Sequence, residues 1–306
     1  MADIAQHTAE LPVLGEFSLR AAAAFGFGPT AGSPGDVLRL AFAVDGGRGY
    51  AGAVLRQPDE PSGPVSVQLT LRDRAPLEAA LAQVARVVSL DHDGTGFERI
   101  GEKDHVLGAL RRAHPGQRPV LFYSPYEAAA WSIVSARRPA AQGRRVRDEL
   151  AIQFGDSFEL EGETLHAFPQ PAHLVELGDR LPGLNFEKLT RLRSVAEAAL
   201  EGELDVAALQ EMGSQRATLH VRRLNGIGPL YADLIVVRAS GFADALLQTA
   251  EPKLLANAAR LYGRTDEPTL DWLIALAERW RPFRTWATVL IRLAGDRGTT
   301  VDAAKR

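Results

Sequence analysis

The 306-residue sequence contains no cysteine. That excludes disulfides, thiolate zinc sites and cysteine nucleophiles in one step. Excess charge is also missing: 35 basic residues against 38 acidic ones give a formal net charge of −3, so no global basic field surrounds the chain. Any contact with nucleic acid must then come from positive charge gathered on one face. The seven histidines are scattered, with no His-x-x-x-His pair and no His/Asp cluster, which argues against a catalytic metal. Neither a Gly-x-Ser-x-Gly elbow nor a P-loop occurs. No apolar run reaches the length of a membrane span, and the stretch from Met1 to Phe17 has neither the basic start nor the apolar core of a signal peptide. The expected setting is the cytoplasm, without a membrane partner.

What is present is ordinary globular material, 46% hydrophobic and 24% charged, long enough for two domains. Residues 1–12 read as a tail. Val37 to Val44, Tyr50 to Arg56 and Val65 to Arg72 are strand-like runs separated by Gly and Pro clusters, and Leu77 to Val88 has helical spacing. Residues 13–92 are therefore expected to form a small α+β domain of antiparallel strands and a helix. From there the pattern is helix after helix, with segments near 104–112, 125–136, 142–154, 171–178, 185–200, 205–211, 214–223, 252–262 and 269–294. Residues 93–298 are expected to form an all-α domain, followed by a tail at 299–306. The fold class is α+β.

The chemistry-bearing stretch runs from Arg222 to Lys253, RRLNGIGPLYADLIVVRASGFADALLQTAEPK. One helix buries Ala217, Leu219 and Val221. Asn225, Gly226, Ile227 and Gly228 turn the chain, and Pro229 opens a second helix where its missing N–H costs nothing. The two glycines permit backbone conformations closed to other residues, and the free N–H groups at the helix start suit a phosphate. The pair reads as a helix-hairpin-helix, a device that grips a DNA backbone without reading bases. An isolated Gly-x-Gly is weak, and an ordinary turn between helices is the plain alternative.

The surrounding residues strengthen the signal. Leu-x-Gly-Ile-Gly-Pro-x-x-Ala is followed by Gly241-Phe242-Ala243-Asp244-Ala245, then by an acid, then by Trp280-Arg281-Pro282-Phe283-Arg284. Pro125-Tyr126-Glu127 opens an upstream helix. This ordered series resembles the helix-hairpin-helix DNA glycosylase superfamily, in its DNA-3-methyladenine glycosylase II branch, over nearly the whole chain. The resemblance implies a monomer that binds double-stranded DNA, flips an alkylated base into an aromatic pocket and hydrolyses its N-glycosidic bond in base excision repair. It implies no organic cofactor, and at most a monovalent cation held by hairpin carbonyls. Carried over residue by residue, it assigns DNA contact to Arg222, Arg223, Asn225, Gly226, Ile227 and Gly228. Tyr123, Tyr126, Trp131, Leu230, Tyr231 and Trp280 are expected to wall the base pocket.

The sequence departs from the family at three places. The family's catalytic aspartate aligns with Ala250, and the nearest acid is Glu251. Glu251 is either the displaced catalytic carboxylate or a helix N-cap neighbour ahead of Pro252. Without that acid, a lesion-binding protein of the same fold is the alternative function. The residue after Gly-Ile-Gly-Pro is Leu230, which excludes the lysine that strand-cutting relatives use, so the expected activity is monofunctional. Beyond Trp131, where the family carries glutamines, the chain has Arg137 and Arg138. These are expected to contact DNA, joined by Arg144, Arg145 and Arg147. Asp244 is expected to play a structural, capping part.

Overall fold

The computed structural model describes residues 4–26, 35–58, 63–178, 181 and 183–300. Strands β1 (Ile4–Leu11), β2 (Val37–Ala43), β3 (Tyr50–Arg56) and β4 (Val65–Arg72) form an antiparallel sheet in the order β1-β4-β3-β2. In β4, Val65, Val67, Leu69 and Leu71 are buried while Ser66, Gln68 and Thr70 are not, the period-2 pattern of a half-buried strand. Short α1 (Leu19–Ala23) and α2 (Leu77–Val87) share the core on the face that carries those residues.

The expected tail at 1–12 is corrected by β1. Ile4 pairs with Arg72 and Leu11 with Val65 along the whole strand. Most of its side chains are not buried, so backbone pairing, not apolar patterning, places it.

The helical part begins with α3 (Thr95–Lys103) and α4 (His105–Ala113), followed by α5 (Pro125–Ser135) and α6 (Ala140–Phe154). A hairpin of β5 (Asp156–Leu160) and β6 (Glu163–Ala167) interrupts it. Phe158, Leu160 and Ala167 pack on Ala41, Tyr50 and Val54, the second face of the N-terminal sheet. A Cβ on Gly52 would stand 2.5 Å from the Phe158 ring, so glycine is what lets this hairpin seat. The sheet thus has α2 on one face and the helical part's own hairpin on the other, and the two units are fastened together.

The chain continues through α7 (Pro171–Val175), α8 (Phe186–Leu200), α9 (Val206–Met212), α10 (Ser214–Val221), α11 (Pro229–Ala239), α12 (Pro252–Leu261), α13 (Leu270–Ala277) and α14 (Arg284–Asp296). The single helix expected over 269–294 is broken between α13 and α14 by a turn of 3-10 helix and Pro282, which cannot donate a backbone hydrogen bond. Residues 301–306 of the expected C-terminal tail lie outside the described residues.

Two cores divide the helices. One joins α5, α6 and α7 to α11, and the other joins α3 and α4 to α12, α13 and α14. Helix α11 belongs to both: Ala232, Ile235, Val236 and Ala239 enter the first and Val237 the second. A residue at the start of α11 therefore stands where the two lobes meet.

Candidate functional site

The hairpin is built as its sequence dictates. In α10, Ala217 and Val221 are buried one turn apart, whereas Leu219 is 63% exposed. Leu219 was expected in the core; two residues from each of these it projects to the other side of the helix. Between α10 and α11, Gly226 has φ +87° and the neighbouring Ile227 is buried as the turn's anchor. Gly228 precedes Pro229 with an extended backbone and no side-chain cap on the helix start. A Cβ on Gly228 would meet nothing within 4 Å, so the approach to the first turn of α11 is open.

A basic face adjoins this turn. A Cβ on Gly226 would touch Arg191 of α8. One turn earlier in α8, Lys188 donates to the carbonyls of Val134 (3.1 Å) and Ala136 (2.8 Å), holding the end of α5. Burial, followed by the like charges of Arg138, Arg191 and Arg137, pushes its amine below the usual lysine range. Those couplings mark a contiguous cationic cluster. Arg137 is exposed at the turn, with φ +56°. Phe186 at the start of α8 is 72% exposed. On the other side of the hairpin, Arg222, Arg223, Asn225 and Gly226 are exposed.

Other arginines expected here have different work. Arg138 is half-buried and donates to the Gly183 carbonyl. Arg147 is buried against Glu127 at 2.7 Å, an internal ion pair. Arg145 pairs with Glu149 along α6.

Glu251 is the N-cap of α12. Its Oε1 accepts from the Lys253 N–H at 3.3 Å and its Oε2 from the Leu254 N–H at 2.5 Å. Arg292 of α14 lies 3.3 Å from the same Oε2 and also pairs with Asp296. The loop leading to Glu251 is pinned by Asp233 of α11, fully buried, whose Oδ2 accepts from the N–H groups of Gln248 (3.0 Å) and Thr249 (2.7 Å). Burial raises the Asp233 pKa, opposed first by a hydrogen bond from the Thr249 side chain, then by those two backbone bonds and by Arg222. The hairpin helix is thereby tied to the acid-bearing loop.

Behind these groups lies a cavity of about 340 Å³, within the range of small-ligand sites. Leu230, the second residue of α11, and Glu251 both line it. So do Leu234 and Arg238 of α11, Arg292 of α14 and Phe25 of the N-terminal unit. A larger cavity of about 410 Å³ lies between β2, β6 and α6, and it holds neither Glu251 nor any hairpin residue.

The aromatic pocket is corrected. Tyr123 is buried in the N-terminal core, stacked on Phe42 at 5.4 Å, and it lines the larger cavity instead. Tyr126 is buried with its hydroxyl donating to the Pro169 carbonyl at 3.0 Å. Trp280 is fully buried, its Nε1 donating to Asp104 at 3.3 Å. Trp131 and Tyr231 pack at the edge of the α5–α11 core, outside the lining of the Glu251 cavity. Of the expected pocket residues, Leu230 alone shares a cavity with Glu251. Phe25, Leu234, Arg238 and Arg292 were not expected; they converge from three distant segments with no local motif to mark them. Asp244 has the structural part expected, accepting from the Arg284 N–H at 3.2 Å at the start of α14 and pairing with Arg281 and Arg284. Among the described residues no group of three acidic or histidine side chains is placed to hold a metal, and no helix is long and apolar enough to cross a membrane.

No protein-family model matches the chain. It is 23% identical over 207 residues to a DNA-3-methyladenine glycosylase of Bacillus subtilis, a match covering 65% of this chain and 66% of that one, just under two thirds of the relative. Its structure is similar to a 3-methyladenine DNA-glycosylase from Archaeoglobus fulgidus, with TM-score 0.76 and 20% identity over 95% of this chain and 100% of the other. It is also similar to an 8-oxoguanine glycosylase/lyase of Clostridium acetobutylicum in complex with double-stranded DNA, with TM-score 0.63 and 15% identity over 97% and 98%. The chain thus shares the fold of these DNA glycosylases and is similar in sequence to a DNA-3-methyladenine glycosylase.

Proposed function

We propose that the protein is a monofunctional DNA glycosylase of base excision repair, acting as a monomer on alkylated bases in duplex DNA. The observation that carries this reading is that Leu230, the second residue of the hairpin helix, and Glu251 line one cavity. A duplex gripped at Gly226 and Gly228 then has a recess for an extruded base beside a carboxylate. Arg137, Lys188 and Arg191, with Arg222 and Arg223, supply positive charge for the flanking phosphates. Flipping is least costly at a damaged, poorly paired base, which favours lesions before the cavity makes any contact.

In the cavity, the Glu251 carboxylate stabilises positive charge developing on the sugar as the glycosidic bond breaks, and it orients water toward C1′. Leu230 has no amine, and Lys253 is exposed outside the cavity lining, so no Schiff base forms there. The reaction as proposed uses water and one carboxylate, without an organic cofactor.

A second reading rests on a specific observation: both oxygens of Glu251 are already engaged, by two backbone N–H groups and by Arg292. On this reading the protein binds lesions without cutting. Base release should be measured from duplexes that each carry one modified base, methylated or bulkier, with wild type and Glu251→Gln compared. Release that is lost in the variant supports the glycosylase. Lesion binding without release from any duplex supports the second reading, and equal release by both proteins removes Glu251 from the chemistry.

A further inference from the structure

We infer that the groove between α9 and α10 docks a protein partner: a short acidic segment that presents an apolar anchor with carboxylates on both sides of it. The groove is separate from the recess beside Glu251, and no described residue lines both.

The groove encloses about 570 Å³. Ala208, Glu211 and Met212 line it from α9, and Arg216, Leu219, His220 and Arg223 from α10 and the turn that follows. Helix α10 is anchored in the core through Ala217 and Val221, so the outward Leu219 is not what holds it. A single exposed leucine needs no explanation. Here the 63% exposed Leu219 shares a concave surface with half-buried Met212, a flexible side chain that adapts to a guest.

The charges fit one kind of guest. Arg216, Leu219 and Arg223 follow at spacings of three and four, which sets the leucine between two arginines along one side of α10 and its final turn. Neither arginine has a carboxylate partner among the described residues. Arg216 Nε donates to the Met212 carbonyl at 2.9 Å, and Arg223 donates to His220 Nδ1 at 2.8 Å. His220 in turn donates from Nε2 to the Glu203 carbonyl at 3.0 Å, which fixes the ring that aims Arg223. Both cations are thus held before a guest arrives, and that lowers the ordering cost of binding. Glu211 on the α9 rim is the one carboxylate of the lining; two arginines against it leave the groove positive with His220 neutral. Duplex DNA would satisfy the arginines but set Leu219 and Met212 against phosphates. An acidic segment with an apolar anchor satisfies both. A partner docked here would stand beside the hairpin turn, next to Arg222.

The probe is a fluorescein-labelled peptide in which a central Leu-Phe pair is flanked on each side by two aspartates. One control peptide has asparagine for every aspartate, and another has two serines for the Leu-Phe pair. Fluorescence anisotropy with the full chain should give a Kd of about 100 μM or tighter for the probe, and about tenfold weaker binding of either control. Leu219→Ser should weaken the probe about tenfold, the scale of one leucine side chain withdrawn from a binding surface. Arg216→Gln should weaken it about threefold and flatten its salt dependence. Both residues are exposed, so melting profile and duplex affinity should stay at wild-type values in each variant. No binding of the probe, or binding that both variants leave unchanged, overturns the inference. Duplex affinity lost in Arg216→Gln, with the probe unaffected, assigns the groove to DNA and also overturns it. So does a wild-type dimer in sedimentation velocity that Leu219→Ser dissociates, since the occupant is then a second copy of the chain.

Discussion

The hairpin turn and the cavity behind it share helix α11, yet they hold to the family pattern to different degrees. The turn keeps its glycines, its buried Ile227 and its open helix start. The cavity has mostly aliphatic walls, with two arginines and two carboxylates, Glu251 and Asp296. Gripping a phosphate backbone depends on main-chain N–H groups, which few sequences can present, so the turn is chemically constrained. Holding a base depends on side chains, which can change one at a time. A main-chain feature and a side-chain feature thus stand on one helix, and substitutions can separate the two.

The largest effect is expected at Glu251. Glu251→Gln removes the negative charge while keeping an oxygen for the α12 cap, and base release should fall about 10²–10³-fold. DNA affinity should hardly change, because the acid lies in the recess and not on the grip. Release kinetics and fluorescence anisotropy on the same duplex check both halves. A comparable fall in affinity would mean that the acid supports the grip as well.

The converse substitution is Gly228→Glu. Gly228 has an ordinary extended backbone and open space around it, so the variant should fold with an unchanged melting profile. Its carboxylate would stand where a phosphate is expected, and affinity should fall about tenfold or more at low salt. Affinity unchanged from wild type would remove the hairpin from the interface. Gly226→Ala serves as a contrast: φ there is +87° and the new methyl group meets Arg191, so that variant should lose about 1 kcal/mol of stability.

These contrasts follow what the sequence could and could not convey. The hairpin was legible because its signal is local: Gly-Ile-Gly-Pro states the backbone geometry within four residues. The strands from β2 to β4 and most helices were legible through their period. β1 was not, since its place comes from pairing with β4, far along the chain. The β5–β6 hairpin did carry a signal, Glu161-Gly162 with both residues at positive φ, hidden behind the end of α6. The recess was least legible. Aromatic residues fill cores as readily as pockets, and Tyr123, Tyr126 and Trp280 turned out to be core. Phe25, Arg238 and Arg292 meet only in three dimensions.

Asp233 joins the two regions, and its effect should be intermediate. Asp233→Ala removes the acceptor for Gln248 and Thr249, which should cost about 1–3 kcal/mol and loosen the loop ahead of Glu251. Asp233→Asn keeps an acceptor and tests the charge alone. The folded pKa of Asp233 lies above its unfolded value, so the folded state holds the proton more tightly. Stability contributed by this group is therefore lost as pH rises from the ordinary carboxylate range through the folded pKa. At neutral pH, Asp233→Asn should be more stable than wild type, and the gain should shrink as pH is lowered toward 4, the ordinary range of an aspartate. Urea titrations across that range check it; a gain that grows in acid would reverse the assignment.

The smallest effect distinguishes two adjacent arginines. Arg137 is exposed on the cationic cluster, whereas Arg138 is half-buried on the Gly183 carbonyl. If Arg137 meets a phosphate, Arg137→Ala should reduce the slope of log affinity against log salt by about 1 and leave stability unchanged. Arg138→Ala should leave the slope alone and lower stability by about 1 kcal/mol, the scale of a lost hydrogen bond. The slope isolates counterion release from general weakening, so a distorted turn cannot imitate the first result without also shifting the melting profile. The opposite pattern, with the slope changing at Arg138 and not at Arg137, would move the phosphate contact from the turn's exposed residue to its neighbour.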